Sequence, residues 1–319
     1  MNRLIDKLLI ISLFFCLSFN VLAVLPLKKV GEKNIWMDGR VSICAHRGGA
    51  LLNPENTKKA FDYVIKETRY TDIVELDLRL TKDNVIIINH DSDINRMAFD
   101  ENIESYSINA HTYEELLEYN LGRNFIDLNG NKPYYDYSIL RAKEEGLTLM
   151  SIEQFLNLYN GVRDVKVFLE IKENAEKGRY IVDQIANLLE EHKWWKDKVM
   201  IISFDDKLID YIWDKYPDMH IGALGDKVGY QIGFSKMGLD FFYTPNYHSL
   251  QIPYNEKARS IPLIKLAGKK LVYYCHKRNQ SVTYWGVNEK EGMEKLINIG
   301  ADVITTDRPD LLAELLKKK

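Results

Sequence analysis

The chain has 319 residues, 46% of them apolar and 28% charged, with a formal net charge of −3. That length can bury a large core and has room for one sizeable α/β domain or two small ones, one being the simpler arrangement. Aromatic residues at 11%, with few Gly and Pro, exclude disorder and low complexity, and the slight acidity is a poor match for nucleic acid.

Arg3 and Lys7 stand ahead of an apolar run from Leu8 to Phe19, and Val21-Leu22-Ala23 follows at the spacing of a cleavage site. This predicts an export signal over 1–23 and a periplasmic or secreted protein, with a single domain over 24–319. The twelve-residue run is short against the ~20 apolar residues of a spanning helix, so no stable membrane insertion is expected after cleavage. Phe14 and Phe15 are too bulky to precede a lipid-anchored Cys16. Loss of Arg3, Lys7 and Asp6 with the signal shifts the net charge to −4. The two remaining cysteines, Cys44 and Cys275, lie in apolar segments and read as buried free thiols.

Beyond the signal, apolar bursts alternate with amphipathic stretches, the pattern of strands and helices taking turns around a parallel sheet. Strands are predicted at 41–45, 72–78, 85–89, 166–171, 198–203, 220–224, 240–243, 281–286 and 302–305. Helices are predicted at 55–68, 151–160, 176–193, 205–216, 259–278, 289–299 and 309–317. The implied fold is a (β/α)8 TIM-type barrel. Nine strands compete for eight places, and the link 81–84 is too short for a crossover, so a local irregularity is expected there. The stretch 91–148 reads as an insertion over the barrel mouth, after the third strand, with Thr112-x-x-Glu115 as a capping box. The run 271–275 has strand-like propensity, but Ile264, Ala267, Leu271, Tyr274 and Cys275 recur at helical spacing, so it is assigned to the helix 259–278.

Glu75 and Asp77 lie two apart in an apolar strand and point to one face, as do Glu170 and Lys172. Two anions on one buried face need a counter-charge, which a metal site, a catalytic dyad or ordinary ion pairing would supply. Parallel strands of a barrel converge at their C-terminal ends, where Glu75, Asp77 and Glu170 could meet around one cation. Three carboxylates suit hard Mg²⁺ or Ca²⁺ better than zinc. His46-Arg47 and His90 each follow a strand, which delivers two imidazoles to the same rim; a structural histidine is the alternative for either. Together these groups suit phosphodiester cleavage: imidazoles move protons, Arg47 forks onto phosphate oxygens, and Lys172 adds a cation.

The strings Ala45-His46-Arg47-Gly48, Pro54-Glu55-Asn56-Thr57, Glu75-Leu76-Asp77, His90-Asp91 and Glu170-Ile171-Lys172 resemble the glycerophosphodiester phosphodiesterase family. Ser203-Phe204, Trp285-Gly286-Val287-Asn288 and Thr306-Asp307-Arg308-Pro309 extend the resemblance over about 41–311. It implies a (β/α)8 barrel with a small insertion, a divalent cation on Glu75, Asp77 and Glu170, and catalysis by His46 and His90. It further implies attack by a glycerol hydroxyl of the substrate, a cyclic phosphate, and release of glycerol 3-phosphate. Trp285 would wall the substrate pocket, while Glu55 and Asn56 would brace the first loop or reach the site. Gly286 and the loop 48–52 depart from the family pattern without removing a catalytic group. A phospholipase C- or D-like barrel acting on intact lipid and a non-catalytic binding barrel are the alternatives. The remaining histidines, His111, His192, His220, His248 and His276, read as structural.

Overall fold

The computed structural model describes residues 26–32, 34–99, 105–254 and 268–317, so the segment read as an export signal lies outside the described residues. The strands are β1 (Ser42–Ala45), β2 (Ile73–Leu80), β3 (Ile86–Ile88), β4 (Lys166–Ile171), β5 (Val199–Ser203), β6 (His220–Ala223), β7 (Ser249–Pro253), β8 (Ser281–Trp285) and β9 (Val303–Thr306). All but β3 pair in parallel around a ring that closes between β9 and β1. The helices that follow the ring strands are α1 (Lys58–Asp62), α6 (Ala175–Glu191), α7 (Asp206–Lys215), α8 (Asp226–Met237), α9 (Lys269–Lys277), α10 (Lys290–Ile299) and α11 (Pro309–Lys317). The connection from β2 to β4 carries the short helices α2 (Asn95–Ala98), α3 (Tyr113–Leu116), α4 (Ile139–Glu144) and α5 (Ile152–Leu158). The architecture is a (β/α)8 barrel, as the sequence implies.

The ninth strand is the expected irregularity. Leu78, Arg79 and Leu80 pair antiparallel with Ile88, Ile87 and Ile86, so β3 hangs on the overlong end of β2 as a hairpin. The five residues 81–85 suffice for such a turn, whereas a parallel partner would have needed a crossover helix. From this hairpin the insertion builds a small core of its own around Ile87, Ile94, Met97, Ile108, Leu116, Leu121 and Leu149. The Thr112–Glu115 capping box forms both of its hydrogen bonds.

Strand alternation sorts the main core into two layers. Val74, Leu76 and Leu78 face outward and pack with Phe61, Val64 and Leu156 between sheet and helices. Cys44, Ile73, Phe168, Met200 and Val303 face inward and fill the barrel with Trp36. Trp36 lies 5.1 Å from Phe168 and 5.9 Å from His220, which begins β6, so the N-terminal segment plugs the barrel at the end opposite the site. Cys44 and Cys275 are both free and buried. Among the described residues no helix is long and apolar enough to cross a membrane.

Three predicted elements need correction. Residues 240–243 are not a strand: Asp240–Phe242 is a 3-10 turn, with Phe241 and Phe242 exposed, and the true seventh ring strand is 249–253. Its inward residues Ser249 and Gln251 are polar and hydrogen-bond each other at 3.1 Å inside the barrel, which broke the apolar run that marks a buried strand. The helix 55–68 begins only at Lys58, because Asn56 adopts a left-handed φ of 57° and Thr57 is the N-cap. The run 271–275 is helical, but α9 starts at Lys269 after an extended Gly268, and residues 255–267 lie outside the described residues.

Candidate active site

The C-terminal strand ends bring the predicted residues together around one cavity. Its walls include His46, Arg47, Glu75, His90, Glu170, Lys172 and Trp285, and it encloses about 580 Å³ including its opening to solvent. The register that pairs Glu75 with Phe168 and Asp77 with Glu170 sets the three carboxylates side by side. Their nearest oxygens all lie within 4.8 Å of one another, and all three residues are buried.

The first loop is shaped to serve this cluster. Gly48 has φ +81°, and a Cβ there would stand 2.8 Å from the Ala60 Cβ, so only glycine lets the loop press against α1. Arg47 itself takes a left-handed φ of 51°, strain of the kind that gathers at functional sites. The turn aims the Arg47 backbone N–H at Glu75 Oε2 at 2.9 Å, while its guanidinium meets Glu55 Oε1 at 2.9 Å and Asp77 Oδ2 at 3.2 Å. Asn56 donates its backbone N–H to the Arg47 carbonyl and its side-chain amide to Asp77 Oδ2, each at 2.9 Å. Glu55 and Asn56 thus brace the first loop and the acidic cluster, and neither lines the cavity. Lys172 lies 3.0 Å from Asp77 Oδ1 and 2.5 Å from Glu170 Oε1.

Each cavity histidine is backed by an aspartate. His46 Nδ1 lies 2.6 Å from Asp307 Oδ1, and Asn288 holds the other Asp307 oxygen at 2.7 Å. His90 Nδ1 lies 2.7 Å from Asp91 Oδ1, whose second oxygen accepts from Arg96 at 2.8 Å. A carboxylate on Nδ1 keeps a proton there and leaves Nε2 as the acceptor nitrogen of the neutral ring. Sequence reasoning assigned no role to Asp91, Asn288 or Asp307, although all three stand in the family strings, and it passed over Arg96 altogether. The adjacency of Asp91 to His90 was a usable signal. The His46–Asp307 pair, 261 residues apart, carried no local signal of its contact.

The electrostatics follow from burial and crowding. Burial and the neighbouring Asp77 push the Glu75 carboxyl up to about 8, against the pull of His46 and Arg47. Burial acts on Asp77 in the same sense, yet Lys172 and Arg47 hold it down at about 2. Burial also raises Glu170, with Asp77 adding to it and Lys172 opposing. Burial disfavours charge on His46, but the Asp307 hydrogen bond and Glu75 outweigh it and lift the ring to about 9. Among the described residues, Glu75 Oε1 and Asn56 Oδ1 are buried without a hydrogen-bond donor. Three clustered carboxylates with unsatisfied oxygens fit a hard divalent cation, which would satisfy both the charge and the orphaned acceptors.

Of the substrate-binding expectations, Trp285 does line the cavity, where it meets Phe204 edge-on at 6.3 Å. Ile202, Leu224 and Gln251 complete that wall. His248 is buried well away from this group: its Nδ1 accepts the Ile221 N–H at 3.1 Å and burial holds the ring down at about 4, which makes it structural.

Comparison with known proteins agrees with this geometry. A glycerophosphodiester phosphodiesterase of Caldanaerobacter subterraneus subsp. tengcongensis is 28% identical over 277 residues, covering 86% of this chain and 98% of that protein. One from Bacillus altitudinis is 26% identical and covers 84% and 95%. Among solved structures, an Oleispira antarctica phosphodiesterase in complex with the product sn-glycerol-3-phosphate has the same fold, with a TM-score of 0.64 at 16% identity and coverage of 88% and 98%. The profile of the glycerophosphoryl diester phosphodiesterase family matches residues 46–311, from the histidine that follows β1 to the first turn of α11, and the chain belongs to that family.

Proposed function

We propose that the protein hydrolyses glycerophosphodiesters to glycerol 3-phosphate and an alcohol. The observation that carries this reading is a pair of histidines, each backed by an aspartate, lining one cavity with a buried three-carboxylate cluster, Arg47 and Lys172. Family membership and the names of the relatives support the substrate class.

In the first half-reaction one imidazole Nε2 takes the proton of the substrate's glycerol hydroxyl as its oxygen attacks phosphorus. The other imidazolium gives a proton to the departing alkoxide, leaving a cyclic phosphate. In the second half the roles reverse: water is deprotonated, adds to phosphorus, and the ring opens with protonation of the freed hydroxyl. Arg47 offers two parallel N–H groups to phosphate oxygens, and Lys172 a point charge. Glu75, Asp77 and Glu170 would hold a divalent cation, Mg²⁺ or Ca²⁺, which when bound supplies Lewis-acid stabilisation of charge on oxygen. Trp285 and Phe204 give the cavity an apolar wall beside these charges.

Export through the segment 1–23 would place this activity outside the cytoplasm; its support is the basic-then-apolar pattern with small residues at the cleavage spacing. The reading is tested by assaying the mature chain on glycerophosphocholine, glycerophosphoethanolamine and intact phospholipids, with glycerol 3-phosphate as the detected product. Turnover of the soluble diesters supports it. Turnover of intact lipid alone would replace it with a lipase reading, and no turnover of either with measurable binding would leave a non-catalytic barrel.

A further inference from the structure

Arg96 lies in α2 of the insertion, outside every motif that the sequence offers, yet its guanidinium joins the two histidine halves of the site. Nε donates to Asp91 Oδ2 at 2.8 Å, and the other oxygen of Asp91 lies 2.7 Å from His90 Nδ1. Nη1 and Nη2 donate to the two oxygens of Glu55 at 3.1 and 2.7 Å. Glu55 Oε1 also accepts Arg47 Nη1 at 2.9 Å, and the Arg47 backbone N–H reaches Glu75 Oε2 at 2.9 Å. A continuous chain of charge-assisted hydrogen bonds therefore runs His90, Asp91, Arg96, Glu55, Arg47, Glu75.

An exposed arginine in a single ion pair would contribute little. Arg96 differs in geometry. Its side chain is 52% exposed, but the carboxylates it bridges are 31% and 12% exposed, and three of its donors are divided between them. Only a planar fork can meet two carboxylates at once in fixed directions; a lysine ammonium offers one point of charge. Further support for the same segment comes from behind: Arg79 donates to the His90 carbonyl at 2.9 Å, and the buried Asn89 donates to the Asp91 carbonyl at 2.9 Å. Those bonds fix the backbone. Among the described residues, Arg96 is the side chain that holds the Asp91 carboxylate from the side away from His90.

We propose that Arg96 is a positioning residue, which orients the Asp91–His90 pair by tying it to the Glu55–Arg47 clamp, so that the insertion is a working part of the active site. The inference rests on the reading of His90 as a proton-transfer group. Without Arg96 the Asp91 side chain is free to rotate, the proton on the imidazole is no longer held at Nδ1, and Nε2 no longer faces phosphorus in its basic form for most of the time.

The test uses the full mature chain with Arg96→Ala, Arg96→Lys, Asp91→Asn, the double variant Arg96→Ala/Asp91→Asn, and His90→Ala. Arg96→Ala is expected to lower kcat about tenfold with KM little changed, the low end of what losing a partner behind a functional imidazole costs. Arg96→Lys should recover only part, since it satisfies one carboxylate. The double variant should be no slower than Asp91→Asn alone, because the positioning role of Arg96 runs through the Asp91 carboxylate. Nitrogen-15 spectra of the imidazole give a readout independent of turnover: a fixed Nδ1–H tautomer in the parent, mixed tautomers in Arg96→Ala. A rise in KM at constant kcat, losses that multiply in the double variant, or an unchanged His90 tautomer would overturn the proposal. Should His90→Ala itself retain parental kcat, the proton-transfer reading fails and the proposal falls with it. If His90→Ala is inactive while Arg96→Ala is unaffected, only the positioning role is lost.

Discussion

Replacement of Asp307 by Asn tests the site through a single proton. Asn288 is locked in orientation: its Oδ1 accepts the Asp307 backbone N–H at 2.9 Å and the Thr306 hydroxyl at 3.0 Å, which leaves its Nδ2 to donate to Asp307 Oδ2 at 2.7 Å. An asparagine at 307 must present its carbonyl oxygen to that donor, and so turns its own NH₂ toward His46 Nδ1. An amide donor cannot face an N–H, so Nδ1 becomes the acceptor and the ring proton moves to Nε2. The cavity-facing nitrogen then cannot accept a proton. Loss of one charge-assisted hydrogen bond of about 1.5–3 kcal/mol would account for roughly a 10- to 150-fold fall in kcat. Inversion of the tautomer adds to it, up to the roughly 10²- to 10⁴-fold that proton transfer contributes. The reasoning also ranks two variants: Asp307→Ala leaves the ring free to adopt either tautomer, so Asp307→Asn should be the slower. Steady-state kinetics on a soluble glycerophosphodiester, with Tm checked in parallel, measures both. An Asp307→Asn enzyme that keeps more than about a tenth of parental kcat, or one faster than Asp307→Ala, would refute the tautomer argument.

Three further outcomes are expected. Added Mg²⁺ or Ca²⁺ should stabilise the parent by about 2.7 kcal/mol at a hundred times Kd, read as a rise in Tm; Glu75→Gln should lose that rise without lowering the metal-free Tm, since the carboxyl it replaces is already disposed to hold a proton. Because the metal-free Glu75 carboxyl titrates at about 8, a cation must displace a proton below that pH, so calorimetric affinity should fall about tenfold per unit as pH drops below 8 and level off above it. Trp36→Ala, at the closed end of the barrel, should cost about 3–5 kcal/mol in denaturant unfolding with kcat little changed, because the Trp36 ring is fully buried and does not line the cavity.

The ring of strands and the acidic cluster were legible because their signals are local. Glu75, Asp77 and Glu170 stand out as charges in apolar strands, and strand alternation alone puts Glu75 and Asp77 on one face. The seventh ring strand was illegible for the opposite reason: Ser249, Gln251 and Thr283 build a polar layer inside the barrel, with Ser249 and Thr283 hydroxyls 3.1 Å apart, while the aromatic 241–243 nearby imitates a strand. The histidine partners divide along the same line. Asp91 adjoins His90, whereas Asp307 meets His46 across 261 residues and Arg96 meets Glu55 across 41.

The closure between β1 and β9 has a consequence for biosynthesis. His46 leaves the ribosome at the start of the barrel and Asp307 at its end, so an emerging or shortened chain that lacks the last strand has every acidic residue of the cluster but an unsupported imidazole. Turnover therefore reports on completion of the ring.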